Sequence, residues 1–192
     1  FILLPLEGGK LPATAGERIE VIEKLVAQAE DLGVPRQLIM VDVLALTVSS
    51  KPEAAVHCLE TIRHCREELG LPTVCGLSNI SFGLPARELV NTAFLTMAMA
   101  AGLSAIIGNP NSARMREAMA ASEVLLQRDP QAERFIRDYA EWKPGAESAG
   151  GQTAAKTQAA SVADLRQAVV KGAKDRILDL LDAELDKGAD PA

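Results

Sequence analysis

The chain has 192 residues, of which 48% are hydrophobic and 24% charged, enough apolar material for a real core in a soluble globular composition. A formal net charge of −6 and only 3% aromatic residues argue against a nucleic-acid partner, an anionic membrane surface or a base-stacking platform. No run of about 18 apolar residues could span a bilayer, and Phe1-Ile2-Leu3-Leu4-Pro5-Leu6 lacks the basic stretch that opens a secretion signal. Together these features predict a cytoplasmic protein with no membrane partner.

In chain order, strand-like apolar runs alternate with amphipathic helices. Phe1–Leu6 reads as a buried strand closed by Pro5 and Gly8-Gly9. Thr14-Ala15-Gly16-Glu17 is a capping box, after which Ile19, Ile22, Val26 and Ala29 recur at helical spacing until Gly33. Leu38-Ile39-Met40-Val41 is the next strand and ends on Asp42. Ser50-Lys51-Pro52-Glu53 reads as a second capping box with proline in the first turn. It opens a helix with the apolar face Ala55, Cys58, Leu59, Ile62, Cys65 and Leu69, closed by Gly70. Thr73–Leu77 is a short strand, Glu88–Ala101 an apolar helix stopped by Gly102, Ser104–Ile107 a fourth strand and Ala113–Gln127 a fourth helix. Four β/α units predict a parallel sheet with right-handed crossovers.

The polar residues Asp42, Ser78, Asn79 and Asn109 collect just past strand C-termini, the end where parallel sheets and barrels bind ligands. A doubly wound open sheet remains an alternative, but neither a G-x-G-x-x-G stretch nor a phosphate loop is present. Cys58, Cys65 and Cys75 are odd in number and lie within helix and strand patterns, so reduced buried thiols are expected. The pairs Cys58/Cys65 and His57/His64 are seven residues apart, about 10.5 Å along a helix, too far to share a metal that holds its ligands at roughly 2 Å. No metal site is expected.

From Lys143 the composition changes. Residues 143–160 are rich in Gly, Ala, Ser, Thr and Gln and read as a flexible linker. The capping box Ser161-Val162-Ala163-Asp164 then starts two short helices. One carries Leu165, Val169 and Val170, and the other Ile177, Leu178, Leu181 and Leu185. Such helices bury little by themselves and resemble the opening of a helical bundle.

Gly76-Leu77-Ser78-Asn79-Ile80-Ser81-Phe82, followed by Leu84-Pro85 and Arg87, resembles the pterin-binding methyltransferase domains of cobalamin-dependent methionine synthase and corrinoid-protein methyltransferases. Met40-Val41-Asp42-Val43-Leu44 is similar to a family strand that ends in Asp, although Val43 stands where proline is usual. Ala101–Ile107 with Asn109-Pro110 is similar to the last barrel strand, and the tail from Leu165 to Pro191 looks like the first helices of a cobalamin-binding module. The resemblance implies the C-terminal half of a (β/α)8 TIM barrel, dihydropteroate-synthase-like, over residues 1–142. A linker (143–160) and the start of a cobalamin-binding helical cap (161–192) would follow.

The implied activity is transfer of the N5-methyl group of methyltetrahydrofolate to a cob(I)alamin or other corrinoid carried by a partner domain or protein. The module's Asp-x-His-x-x-Gly cobalamin-ligand motif is absent. N5 leaves badly unless it gains positive charge or a hydrogen bond as the carbon–nitrogen bond breaks, so the protein must orient the pterin and support N5. The resemblance assigns the guanidine-like pterin edge to the Asp42 carboxylate and N5 to Asn79, whose amide can donate or accept. Ser78 and Arg87 are implied supporting residues, Asn109 is a further candidate for ligand contact, and Phe82 stands where some relatives carry a polar residue.

Two rivals remain. A dihydropteroate-synthase-like enzyme would share the pocket, but its Arg-Val-His-type motif is missing near Ile106–Pro110. A non-catalytic corrinoid-docking fragment would suit an incomplete barrel. Because a closed barrel needs eight strands and typically about 250 residues, the chain is expected to be one piece of a longer polypeptide. The less favoured alternative is a homodimer that assembles a barrel from two halves.

Overall fold

Helix α1 (Ala15–Asp31) starts where the Thr14 pattern requires. Thr14 Oγ1 accepts the Glu17 N–H at 3.2 Å, and Glu17 Oε2 accepts from Ala13 N–H at 2.7 Å, one residue further back than the reciprocal bond of a standard box. The computed structural model describes residues 1–142. The expected linker (143–160) and helical cap (161–192) lie outside the described residues.

Strands β1 (Ile2–Leu3), β2 (Met40–Asp42), β3 (Thr73–Gly76) and β4 (Ala105–Ile107) form one parallel sheet in the order β1-β2-β3-β4. Helices α2 (Ala54–Glu67), α3 (Arg87–Ala101) and α4 (Ala113–Leu125) follow their strands and pack against one another in sequence, α1 on α2, α2 on α3, α3 on α4. A doubly wound sheet reverses its strand order at a switch point. This one steps in a single direction throughout, like an arc of barrel wall.

Register fixes the two faces of the sheet, because side chains alternate along a strand and paired residues in neighbouring strands share a side. Leu3, Val41, Cys75 and Ile106 face the helices, where they join Ile22, Val26, Cys58, Ile62, Leu95, Ala98 and Leu103 in the core. Full burial of one such aliphatic side chain stabilises by roughly 1.5–3 kcal/mol. Ile2, Met40, Asp42, Val74, Gly76 and Ile107 share the opposite face.

Several sequence expectations need correction. The first strand is two residues rather than six: Pro5 offers no N–H to a ladder, and Leu6 N–H turns back to Leu4 O at 2.8 Å. The second capping box does not form. Glu53 is in helical conformation and no side chain caps α2. Backbone turns do the work instead, with Lys51 N–H on Thr47 O and Ala54 N–H on Lys51 O. Leu77 leaves the third strand for a 3-10 turn (Leu77–Ser81), and α4 ends at Leu125 rather than Gln127. A further helix, α5 (Glu133–Tyr139), had no sequence expectation. Asp129 starts it by accepting from Arg134 N–H and Phe135 N–H.

Gly102 closes α3 at φ 105°, and a Cβ there would lie 2.9 Å from Arg66 Cγ. Gly102→Ala is therefore expected to destabilise the fold by about 1–2 kcal/mol, the cost of the left-handed region for an L-residue. Urea unfolding would read this as a lower midpoint at unchanged slope.

Among the described residues no helix is long and apolar enough to cross a membrane. No group of three or more His, Cys, Asp or Glu there could hold a metal ion. The three cysteines are free and buried. Burial pushes the Cys65 and Cys75 thiols up to about 12 and Cys58 higher still, so all three are protonated packing residues near neutral pH.

Candidate functional site

β2 and β3 are neighbours in the sheet, so their C-terminal ends deliver Asp42 and the turn carrying Ser78 and Asn79 to one place. Asp42, Ser78, Asn79, Gly76, Leu4 and Leu44 line an open concavity of about 430 Å³, a size suited to a small-molecule ligand.

Asp42 Oδ1 accepts the Leu44 N–H at 2.9 Å, a local turn that leaves Oδ2 with no hydrogen bond among the described residues. Leu44 is held at φ 52°, a strained conformation for a leucine. What holds it is Arg18 of α1, whose Nη1 donates to Val43 O at 2.6 Å and to Leu44 O at 3.2 Å. Arg18 is 1% exposed. Burial pulls its guanidinium below its ordinary pKa, and the nearby Cys58 and Asp42 groups act in the opposite sense.

The segments that follow β2 and β3 are tied to each other. Thr47 Oγ1 and Ser49 Oγ both donate to Phe82 O, at 2.5 and 2.8 Å, and Val48 N–H donates to Ile80 O at 3.0 Å. Arg87 braces the 3-10 turn from the other side. Its Nη2 donates to Ser78 O at 2.7 Å, its Nε to Ser81 Oγ at 3.1 Å, and its guanidinium lies 5.6 Å over the Phe82 ring. Arg87 thus holds the turn rather than lining the concavity. Asn79 is exposed, and its amide folds back over the strand: a Cβ on Gly76 would sit 3.0 Å from Asn79 Nδ2. A side chain at that position would push the amide aside by a few tenths of an ångström.

Asn109 is not brought to the group. Its Oδ1 accepts Asn111 N–H at 3.0 Å and its carbonyl accepts Ser112 N–H, a turn that leads into α4. Sequence reasoning brought out Asp42, Ser78 and Asn79 but missed Arg18, Thr47 and Ser49. Arg18 had a usable signal. It lies three residues after Ala15 and four before Ile22, on the buried stripe of α1, where a charge needs partners.

Residues 10–109 match the pterin-binding enzyme family. The chain is 27% identical over 146 residues to the methylcorrinoid:tetrahydrofolate methyltransferase of Eubacterium limosum, covering 76% of this chain and 54% of that protein. It is 33% and 35% identical over 102 residues to the methionine synthases of Mycobacterium tuberculosis and Mycobacterium leprae, covering 49% of this chain but 9% and 8% of those proteins. The chain thus spans about half the length of the first relative and a small part of the other two. With the match at residues 10–109 taking in more than half of the 192 residues and enclosing both Asp42 and Asn79, the chain belongs to the pterin-binding enzyme family.

Proposed function

We propose that this chain contributes to an enzyme that moves a methyl group from N5 of methyltetrahydrofolate to a corrinoid on a partner domain or protein. The observation that carries the reading is the meeting of Asp42 and Asn79 at one concavity, on neighbouring strand ends. Asp42 accepts from the ring N–H and exocyclic amine of the pterin, a charge-assisted bond on the order of 1.5–3 kcal/mol. Asn79 follows N5, which keeps the bonding pair and takes a proton as the methyl group leaves. Ser78 shapes the wall beside it. A corrinoid on its own carrier would supply the methyl acceptor; neither histidine lines this concavity, and His64 is paired with Glu23 at 2.9 Å.

The reverse direction is a second reading, favoured by the name of the Eubacterium limosum relative, a methylcorrinoid:tetrahydrofolate methyltransferase. The same contacts serve both directions, since forward and reverse share one transition state.

The arc belongs, in this reading, to the C-terminal half of a (β/α)8 barrel. Ile2, Leu4 and Ile107, on or next to the face opposite the helices, are 60, 43 and 61% exposed, an apolar surface that further barrel strands would cover. Single-turnover methyl transfer from methyltetrahydrofolate to a cob(I)alamin acceptor, measured on the completed barrel, tests the function. Turnover of dihydropterin pyrophosphate instead would award the site to dihydropteroate-synthase chemistry, and binding of neither pterin would leave the docking-fragment reading.

Gly76→Ala examines the positioning of Asn79. Its φ of −73° tolerates a side chain, so stability should change by less than about 1 kcal/mol. The displaced amide should still slow methyl transfer by roughly tenfold. Thermal unfolding and single-turnover rates, measured together, check both halves.

A further inference from the structure

Behind the loop that follows β2 lies a second concavity, of about 230 Å³, between α1 and the start of α2. Arg18, Ser50, Lys51, Glu53, Ala54 and His57 are among the residues that line it. Arg18 is almost wholly buried, forms no ion pair among the described residues, and has one orphaned donor: Nε is shut off from solvent without a hydrogen-bond partner. Nη2 meets no acceptor among the described residues either, but unlike Nε it is not shut off from solvent. A buried cation with unused donors is costly unless an anion answers it, and Asp42 favours its charge only from beyond ion-pair distance. Helix α2, 14 residues long, points its N-terminus at the same concavity. It has no side-chain cap, and the Ala55 and Val56 N–H groups meet no backbone acceptor among the described residues. Free N–H groups and the positive end of the helix dipole favour an anion at this position.

We propose that this concavity binds an oxyanion, a carboxylate or phosphate group, held by Arg18, Lys51 and the first turn of α2. Glu53 is the opposing charge on the rim, and it lies too far from Arg18 to form an ion pair. Two sources can supply the group: a free inorganic anion, or the terminal carboxylates of a folate's glutamyl tail. The second rests on the proposed function and is favoured by Leu46, which lines both concavities. The oxyanion site itself stands without it.

The test uses the whole 192-residue chain at constant ionic strength, with inorganic phosphate, N-acetyl-γ-glutamylglutamate and the uncharged trimethyl ester of that dipeptide as probes. Phosphate or the free dipeptide should bind saturably and raise the melting temperature, whereas the ester should not. Lys51→Ala should weaken that binding about two- to fivefold, as expected of one exposed charge, and Glu53→Gln should strengthen it by removing a repulsion. Both residues are exposed, so neither change threatens the fold. Phosphate binding without dipeptide binding identifies a free anion as the source, and dipeptide binding identifies the tail. Absence of saturable binding by either probe, or binding that is indifferent to both substitutions, overturns the proposal. A fall in melting temperature with Glu53→Gln in the absence of any probe would show that Glu53 itself neutralises Arg18, and would overturn it as well.

Discussion

Replacing Asn79 with alanine is expected to slow methyl transfer in the assembled enzyme by roughly ten- to a thousandfold, the range for one lost transition-state hydrogen bond. Pterin affinity should fall much less. The asymmetry follows from where the amide sits. It packs over Gly76, and the turn beneath it is held by bonds that Asn79's side chain does not make: Arg87 on Ser78 O and Ser81 Oγ, and Thr47 and Ser49 on Phe82 O. Truncation therefore removes a donor–acceptor and leaves its platform standing. Because an amide can donate or accept, its contribution grows as N5 changes protonation, which separates rate from binding. Single-turnover kinetics alongside calorimetric pterin titration decide the matter. An unchanged rate would remove Asn79 from its assigned role, and parallel losses in rate and affinity would make it a ground-state contact.

Asp42→Asn is expected to weaken pterin binding by about 1–3 kcal/mol, the worth of a charge-assisted bond and of the mismatch left behind. The substitution is sharper than it first looks. Oδ1 serves Leu44 N–H, and asparagine keeps that acceptor, so the local turn and the backbone held by Arg18 survive. The change falls on the other oxygen, which becomes an NH₂ facing the donors of the pterin edge. Calorimetry giving affinity within twofold of wild type would refute the assignment, and a large loss of thermal stability would show that Asp42 is mainly a loop residue.

The parts of the molecule that were legible in the sequence are those governed by local rules. Thr14 and Glu17 began α1 where expected, Gly102 ended α3, and the apolar runs put Asp42 at the last position of one strand and Asn79 just past another. Features set by partners distant in sequence were not. The burial of Arg18 depends on carbonyls 25 and 26 residues away, and helical spacing only marks the position as interior. Ser50-Lys51-Pro52-Glu53 has the composition of a cap, yet Thr47 in the loop before it captures the chain first. The shortness of β1 and the length of α3 reflect the same divide. Strand extent depends on which neighbours supply the ladder, whereas a helix closes its own bonds.

The strand order also bears on how the chain is made. Among the described residues each strand after β1 pairs with the one synthesised immediately before it, so β2 can dock on β1 as it emerges, β3 on β2 and β4 on β3. Pairing with the immediately preceding strand is the shortest-range pairing a parallel crossover allows, which keeps the loop-closure cost low in a topology that otherwise folds slowly. Such an order also tolerates growth. A duplicated β/α unit inserted at a loop would find a ladder on either side without any rewiring, and the polar ends of its strand would arrive at the same rim as Asp42 and Asn79.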